Sequence, residues 1–283
     1  MLSEAFLHRL DTLRPVLRSR ARGGSGGARK SRMLGTSAEF SDFREYAPGD
    51  DIRRIDWNAY ARFDKLFLKL FMEEQEAMIT VLVDGSASMA DKWPAVCGIA
   101  EAFSYAALGG GDRVRVAIAT KDGPVSCAFG TGRRDYPRLS AYIADYTPKG
   151  QADLSLSIRR LDPCPKGMTL LISDFLVEDA GNAALAALRY RGQETCDVQV
   201  MSPEELRPSL SGPVRLTDQE GGTPLDLSAD GETLRQYEKR LNEFLQAVQG
   251  NCHRQSVPRV LLDSGENIED TLVRAFLRAG ILS

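Results

Sequence analysis

From residue 78 onward, short apolar runs of the sequence alternate with longer segments that have helical periodicity. Five runs have the length and composition of buried strands, at Met78–Val83, Val114–Ala119, Met168–Ser173, Asp197–Met201 and Arg259–Leu262. Helices are predicted between and after them, at Trp93–Leu108, Tyr136–Tyr146, Leu154–Leu161, Ala180–Tyr190, Glu232–Val248 and Ile268–Ala279. Strands that alternate with helices form βαβ units, so we expect an α/β fold with a doubly wound, mostly parallel sheet covered on both faces.

Three further patterns add to this α/β domain. Val125–Phe129 follows a turn and predicts a short edge strand, and Lys65–Phe71 alternates well enough to predict a strand before the domain. Turn residues at Glu220–Gly222 predict a hairpin over Gly212–Leu227. The hairpin lies between two βα units, so we interpret residues 206–230 as an insertion.

The sequence before residue 78 has two parts. Residues 1–34 hold apolar positions at helical spacing over residues 2–20, followed by the flexible linker Gly23–Gly27. Residues 35–77 are dense in charged and aromatic side chains. We therefore divide the chain into a basic helix with its linker (1–34), an N-terminal segment packed on the main domain (35–77) and the α/β domain (78–283).

Composition places the chain among soluble globular proteins, since 43% of its 283 residues are hydrophobic and 27% are charged. No charge-free run approaches the roughly 18–20 apolar residues that a spanning helix needs, and the N-terminus lacks the apolar core of a signal peptide. The five cysteines are widely spaced and include no CxxC pair, which disfavours a disulfide framework or a zinc site. We therefore expect a cytoplasmic protein with no membrane span.

Positive charge is concentrated at the N-terminus. Residues 1–35 contain eight basic and two acidic residues, a net charge of +6 in a chain whose total is −3. The favoured interpretation is a solvated helical face followed by a flexible arm. The alternative is an arm that docks on an acidic partner, a nucleic acid or a membrane surface. Nucleic-acid binding is disfavoured because no aromatic side chain follows Phe6 in this stretch.

Two predicted strands end in aspartate with hydroxyl side chains nearby. Asp84 is followed by Ser86 and Ser88, and Asp174 follows Ser173. Ligands of doubly wound sheets bind beyond the carboxyl ends of the strands, where these oxygens would meet. Hard oxygen ligands suit Mg²⁺. The alternative is that Asp84 and Ser86 only cap the next helix.

Two stretches of sequence resemble known families. The run Asp84-Gly85-Ser86-Ala87-Ser88 after an apolar strand resembles the metal-ion-dependent adhesion site of von Willebrand factor A domains. The longer run from Asp42 to Ala59 (DFREYAPGDDIRRIDWNA) resembles the signature of the bacterial "domain of unknown function 58" family, whose members carry such an A domain. The resemblance extends from about residue 35 to the end of the sequence.

This resemblance implies a ligand set for Mg²⁺ that consists of Asp84, Ser86, Ser88 and Asp174. It also leads us to expect a threonine in a middle loop, where this sequence has Ala152 in the run Gly150-Gln151-Ala152-Asp153. Alanine offers no hydroxyl, so a water fills the gap, Asp153 moves in, or the metal binds poorly or not at all. In A domains that use such a site, the partner supplies a Glu or Asp to the metal, so an acidic residue of a client protein is a candidate ligand.

The resemblance also implies a partner, since members of the family look like co-factors of MoxR-type AAA+ ATPases. The charged residues of the signature run either form an internal ion-pair network that holds this segment on the A domain or form the docking surface for the ATPase; they are Arg44, Asp50, Asp51, Arg53 and Arg54. We interpret Asp56 as structural and Phe43 and Trp57 as packing residues.

The function predicted from sequence is that of a non-catalytic protein-interaction adaptor with a degenerate Mg²⁺ site. A serine hydrolase is disfavoured because it would need a histidine base and the chain has only His8 and His253. The run Gly85-Ser86-Ala87-Ser88-Met89 also lacks the second glycine of a nucleophile elbow. The sequence has no Walker motif, so ATP chemistry would belong to a partner. The alternative function is a metal-assisted hydrolase that uses Asp84 and Asp174.

Overall fold

The computed structural model describes residues 2–16, 39–48, 50–72, 76–162, 167–217, 219–221 and 224–283. The chain divides into two compact units. Unit 1 comprises Met1–Gly24 and Ala77–Ser283, and unit 2 comprises Ser25–Glu76. Within the described ranges, no helix is both long enough and apolar enough to cross a membrane.

The first helix of unit 1, α1 (Glu4–Leu10), is shorter than predicted. Its N-cap residue is Ser3, whose hydroxyl accepts a hydrogen bond from the Phe6 amide, and the helix buries Phe6 and Leu10 in the core. The prediction of a helix over residues 2–20 is wrong for residues 11–16, because Pro15 has no amide hydrogen and disfavours helical backbone at the residue before it. Residues 17–20, the predicted linker and most of the basic arm lie outside the described residues.

After α1 the chain pairs with residues far along the sequence. Pro15 forms an isolated antiparallel bridge with Leu282. The amide of Arg14 donates to the carbonyl of Ser283 at 2.9 Å, and the amide of Ser283 donates back to Arg14 at 3.0 Å. These bonds attach residues 14–16 to residues 281–283 within unit 1.

Unit 2 contains a two-stranded antiparallel sheet of β1 (Glu39–Glu45) and β2 (Phe67–Met72), which confirms the strand expected near Lys65–Phe71. A short 3₁₀ turn and the helix α2 (Trp57–Phe63) connect the two strands. The carboxylate of Asp56 caps α2 by accepting from two backbone amides, and Asp56 itself is buried. The structural role predicted for Asp56 is therefore confirmed.

Unit 1 is built around a seven-stranded sheet. Its strands and those of the later hairpin are β3 (Met78–Asp84), β4 (Arg113–Thr120), β5 (Gly123–Ser126), β6 (Gly130–Thr131), β7 (Met168–Ser173), β8 (Glu194–Met201), β9 (Gly212–Leu216), β10 (Leu225–Ala229) and β11 (Arg259–Asp263). The strand order is β11-β8-β7-β3-β4-β5, and β6 also pairs with β4. Four of the pairings are parallel, so the predicted mixed α/β fold with a mostly parallel sheet is confirmed.

The edge strand and the hairpin also match the sequence patterns in type. The expected edge strand at Val125–Phe129 is replaced by two shorter antiparallel strands, β5 and β6, separated by an irregular stretch. β9 and β10 form a separate antiparallel pair, as the turn at Glu220–Gly222 predicts. The carboxyl ends of β3 and β7 lie where the strand order changes direction, which is the position at which such sheets bind ligands.

Helices cover both faces of the sheet. They are α3 (Trp93–Gly109), α4 (Tyr136–Ala144), α5 (Leu154–Arg160), α6 (Asn182–Tyr190), α7 (Pro203–Leu206), α8 (Gly231–Arg254) and α9 (Ile268–Arg278). The main core packs α1, α3, α4 and α9 on one face, and a second core packs α5, α6 and α8 on the other. Successive residues of β3 alternate between them: Val81 and Val83 enter the main core, and Leu82 enters the second.

Candidate functional site

The two aspartates predicted from sequence lie side by side at the carboxyl edge of the sheet. Asp84 is the last residue of β3, and Asp174 follows the last residue of β7, the neighbouring parallel strand. Only 5% of Asp84 and 2% of Asp174 are exposed. Both carboxyl groups are therefore set into the protein rather than displayed on its surface.

Asp84 is held on both of its oxygens. Oδ1 accepts a hydrogen bond from the amide of Ser86 at 3.0 Å, and Oδ2 accepts one from the hydroxyl of Ser173 at 2.7 Å. Burial, followed by the nearby charge of Asp174, raises the pKa of Asp84 above its ordinary value despite these hydrogen bonds. The capping alternative is wrong for the side chains: Ser86 is the N-cap residue of the short 3₁₀ helix Ala87–Met89 but makes no side-chain capping hydrogen bond there, and the N-cap position of α3 is Lys92.

The serines link the two strand ends. The hydroxyls of Ser86 and Ser88 lie 3.0 Å apart, and Ser88 donates to Oδ2 of Asp174 at 2.8 Å. The other oxygen of Asp174 accepts from the amide of Leu176 at 3.0 Å. The structure thus brings together all four predicted ligands, Asp84, Ser86, Ser88 and Asp174, but their polar atoms already bond to each other or to the backbone.

Sequence reasoning missed two residues at this site, and the first is Lys92. Its Nζ donates to Oδ2 of Asp174 and to Oε1 of Glu205, each at 2.8 Å, and 1% of the residue is exposed. Burial disfavours the charged ammonium, but the charges and hydrogen bonds of Asp174 and Glu205 outweigh this and raise its pKa. The available signal was its position directly before the apolar helix α3, where a lysine has little access to water.

Glu205, the second residue that was missed, reaches the site from the short helix that follows a third strand, β8. The chain leaves β8 and enters the short helix α7, where Ser202 and Glu205 form a capping box. The second oxygen of Glu205, Oε2, accepts from the amide of Ser202 at 2.7 Å. The sequence Ser202-Pro203-Glu204-Glu205 has the spacing of a capping box. Nothing in the neighbouring sequence indicates that Glu205 also accepts a hydrogen bond from Lys92.

The middle loop lies beside the site without supplying a hydroxyl. The amide of Ala87 donates to the carbonyl of Gly150 at 2.8 Å, which fixes the loop next to the serines. Ala152 is half-buried against the second core. Asp153 does not move in for the missing threonine, because it caps α5 by accepting from the amide of Leu156 at 2.8 Å.

As arranged, these residues do not fit Mg²⁺. Mg²⁺ needs near-octahedral oxygen ligation, whereas the hydroxyls of Ser86 and Ser88 bond to one another and to Asp174. The ammonium of Lys92 lies 2.8 Å from the Asp174 oxygen that a metal would use, and it would repel a dication. In the part of the chain that the structure describes, no cluster of three or more histidine, cysteine, aspartate or glutamate side chains could hold a metal ion.

The charged residues of the signature run form local ion pairs in unit 2. Nη2 of Arg44 donates to Oδ1 of Asp50 at 2.8 Å, and the second oxygen of Asp50 accepts from the amide of Ala47. The guanidinium of Arg53 binds both oxygens of Asp51 at 3.1 Å and is largely exposed. The side chain of Arg54 lies outside the described residues.

Unit 2 also exposes a set of large apolar side chains, which we call the aromatic ridge: Ile52, Trp57, Tyr60 and Phe63. Each is between 41% and 66% exposed, and the rings of Trp57 and Tyr60 meet edge to face at a centroid distance of 6.2 Å. The prediction that Trp57 is a packing residue is wrong, because Trp57 lies at the first turn of α2 with 63% of its surface exposed. The side chain of Phe43 lies outside the described residues.

Comparisons with known proteins give one family and several relatives. Residues 42–244 match the family model described as "Protein of unknown function DUF58". Uncharacterized protein Rv1480 of Mycobacterium tuberculosis and uncharacterized protein Mb1516 of Mycobacterium bovis are each 28% identical over 267 residues, which covers 90% of this chain and 81% of theirs.

Similar solved structures include the conserved hypothetical protein BatB from Bacteroides thetaiotaomicron, with a TM-score of 0.42 and 12% identity over 72% of this chain and 98% of that one. The SpRpn10 VWA domain has a TM-score of 0.36 and 11% identity over 70% of this chain and 94% of that one.

Proposed function

The chain belongs to the DUF58 family, and from this premise we propose that it is a non-catalytic adaptor that binds other proteins through unit 2. The partner we propose is a MoxR-type AAA+ ATPase, on the resemblance of the signature run to a family whose members look like co-factors of such motors. The role would be to connect the motor to a client during assembly or maturation. Cys97, Cys127, Cys196 and Cys252 are free thiols, which is compatible with the reducing cytoplasm that we propose as its location.

The observation that carries this proposal is the aromatic ridge. Exposed apolar side chains are ordinary when scattered, but here four large ones lie within twelve residues of sequence, and the rings of Trp57 and Tyr60 are in contact. Trp57, Tyr60 and Phe63 follow one another at three-residue intervals along α2. Trp and Tyr are the residues most enriched among the side chains that dominate binding energy at protein interfaces. The ridge therefore has the composition of a protein-binding surface.

The charged residues beside the ridge suit the rim of such a surface. Arg53 and Asp51 are exposed and hold each other in a bidentate pair next to Ile52. Arg44 and Asp50 form a second pair in the same segment. Rim charges affect association rate and partner choice more than affinity, so we propose that Arg44, Asp50, Asp51, Arg53 and Arg54 select the partner and the ridge holds it.

The arrangement at the sheet edge supports a non-catalytic role. A general base must come within hydrogen-bond reach of a substrate proton. The oxygens of Asp84 and Asp174 accept instead from Ser173, Ser88, Lys92 and backbone amides, and both residues are buried. Turnover of a phosphoester that is abolished by Asp84→Asn would instead support the metal-assisted hydrolase.

The experiment measures binding of the full chain to the MoxR-type ATPase from the same source by isothermal titration calorimetry. The double variant Trp57→Ala/Phe63→Ala removes two ridge side chains. Truncating interface hot spots costs about 2 kcal/mol or more, so we expect affinity to fall by roughly 30-fold or more. Tyr190→Ala is the matched control, because Tyr190 is a highly exposed aromatic residue of unit 1 and its loss should leave affinity unchanged.

Melting curves of the same proteins distinguish an interface from internal packing. Removing exposed side chains should change the melting temperature very little. A clear fall for the ridge variant would mean that the ridge packs within the protein, and the proposed surface would be wrong. Wild-type protein that does not bind the ATPase would overturn the proposed partner.

A further inference from the structure

We propose that the ammonium of Lys92 takes the place of a metal ion at the carboxyl edge of the sheet. In this proposal Lys92 is a fixed internal cation that joins the ends of β3, β7 and β8, and the site works without Mg²⁺. The inference holds whether or not unit 2 binds an ATPase, because it concerns only residues of unit 1.

The position of the ammonium is the first reason. Nζ of Lys92 lies 2.8 Å from a carboxylate oxygen that follows β7 and 2.8 Å from one that follows β8. Lys92 itself lies in the segment that leads from β3 into α3. A metal ion at such an edge would connect the same elements by binding oxygens from each. The ammonium makes these connections by donating hydrogen bonds.

Burial is the second reason. Lysine is almost never fully buried unless its charge is paired, and the side chain of Lys92 is 1% exposed. Its two acceptors, Asp174 and Glu205, are themselves anchored by a backbone amide each, so they cannot swing away to solvent without losing those bonds. A second cation beside Asp174 would have to displace or approach this ammonium, at a large electrostatic cost.

The remaining donor atoms form the third reason. The hydroxyl that a threonine would supply is absent at Ala152, and Asp153 is engaged as the cap of α5. The Ser88 hydroxyl donates to the same Asp174 oxygen that receives the ammonium. The lack of one metal ligand and the presence of an internal cation therefore both favour Lys92 over a metal ion at this site.

The proposal changes the expected chemistry of a partner at this edge. The resemblance to A domains implies a partner carboxylate that completes the coordination of a metal ion. Here it would meet Asp84, Asp174 and Glu205 around a single ammonium that already has two acceptors. An acidic client residue is consequently not the group that this edge would attract.

The test combines Mn²⁺ binding with thermal melting of the full chain. Protein stripped with EDTA is titrated with Mn²⁺, and bound ion is followed by the loss of the free-ion signal in electron paramagnetic resonance. Wild type and Ala152→Thr should both leave the Mn²⁺ free, since Lys92 is present in each. The melting temperature of wild type should be the same in EDTA and in millimolar Mg²⁺.

Removing the ammonium provides the complementary measurement. Lys92→Met keeps the length of the side chain but leaves two carboxylates unpaired, and we expect a melting temperature lower by roughly 6–20 °C. Lys239→Met is the matched control, because Lys239 is largely exposed and pairs only loosely with Glu243, so its melting temperature should not change.

Three results would overturn the proposal: bound Mn²⁺ in wild type, bound Mn²⁺ in Ala152→Thr, or an unchanged melting temperature for Lys92→Met. If Lys92→Met does not fold, the Mn²⁺ titrations of the other two proteins still decide. Absence of Mn²⁺ binding in both, with wild-type stability indifferent to EDTA, would support Lys92 as the resident cation.

Discussion

The hydroxyl of Ser173 lies 2.7 Å from Oδ2 of Asp84, so the last residue of β7 donates directly to the last residue of β3. The same hydroxyl accepts from the amide of Phe175 at 2.9 Å, where the chain turns away from the sheet. Ser173 is inaccessible to water, so neither bond can be replaced by solvent. One small side chain therefore sets the relative position of the two strand ends that carry the candidate site.

Replacing Ser173 by alanine should destabilise the protein by about 1–3 kcal/mol, because a buried carboxyl and a buried amide both lose a partner. Urea unfolding would measure the change. Ser155→Ala is the control, since the Ser155 hydroxyl contacts Asp153 near the surface and its loss should cost much less. Equal effects of the two substitutions would contradict the role given to Ser173.

Gly85 should tolerate no side chain. A Cβ at this position would lie 2.7 Å from the carbonyl oxygen of Ala119 and 2.6 Å from Cγ2 of Ile118. Backbone cannot move aside cheaply, so Gly85→Ala should cost about 1–3 kcal/mol in the free energy of unfolding.

The control for this substitution is Gly250→Ala in α8. A Cβ there would meet only a flexible arginine end at 3.7 Å, and alanine favours the helix, so we expect a gain of roughly 0.5–1 kcal/mol. Opposite signs for the two glycines in chemical denaturation would support the close approach at Gly85, and equal signs would argue against it.

Asp197 should make stability depend on pH. It is completely buried in β8, and burial raises the pKa of its carboxyl to about 7 from the ordinary 3.8, although Cys252 donates to it and Arg259 is nearby. In the part of the chain that the structure describes, its Oδ1 has no hydrogen-bond partner. Because the pKa is raised in the folded protein, the stability contributed by this group is fully present below about pH 4 and is lost as pH rises through about 7.

The size of this effect follows from the two pKa values, which correspond to roughly 4 kcal/mol between the ends of that range. Asp197→Asn cannot ionise, so its stability relative to wild type should rise as pH increases from about 4 to about 8. Unfolding in urea at several pH values would measure the difference. A curve for Asp197→Asn parallel to that of wild type would refute the prediction.

The short helix α1 should be a necessary part of the main core. Phe6 is 1% exposed and lies in the same cluster as α3 and α9. Phe6→Ala should therefore destabilise unit 1 by about 3–5 kcal/mol, measured by urea unfolding. Tyr190→Ala removes an almost fully exposed ring and should change stability by less than about 0.5 kcal/mol. A Phe6→Ala protein as stable as wild type would mean that α1 is only loosely attached.

The sheet could be predicted from sequence because strands and helices leave different hydrophobic patterns along the chain. Strand residues such as Val81 and Leu82 are apolar in succession, which identifies a strand buried on both faces, and helical spacing separates one strand from the next. Asp84 and Asp174 could be placed together for the same reason, since parallel neighbouring strands end at one edge.

What could not be predicted depends on contacts between distant residues. Lys92 and Glu205 form a hydrogen bond although more than a hundred residues of sequence separate them. In the sequence each is simply a polar residue near the start of a helix, so neither indicates the other. The exposure of Trp57 is likewise a tertiary property, because the burial of a large aromatic side chain depends on which surfaces pack against it. The length of α1, by contrast, could have been predicted better, because Pro15 is visible in the sequence and disfavours a helix that continues to residue 20.

The pairing of residues 14–16 with residues 281–283 affects the order in which unit 1 can form during synthesis. Phe6 and Leu282 belong to one core, yet Phe6 is synthesised early and Leu282 late, and all of unit 2 is made between them. The early segment must wait, unprotected, until the late one emerges. At synthesis rates of about 5–20 residues per second this interval lasts roughly ten seconds or more, during which the apolar side of α1 is open to chaperones and to misfolding.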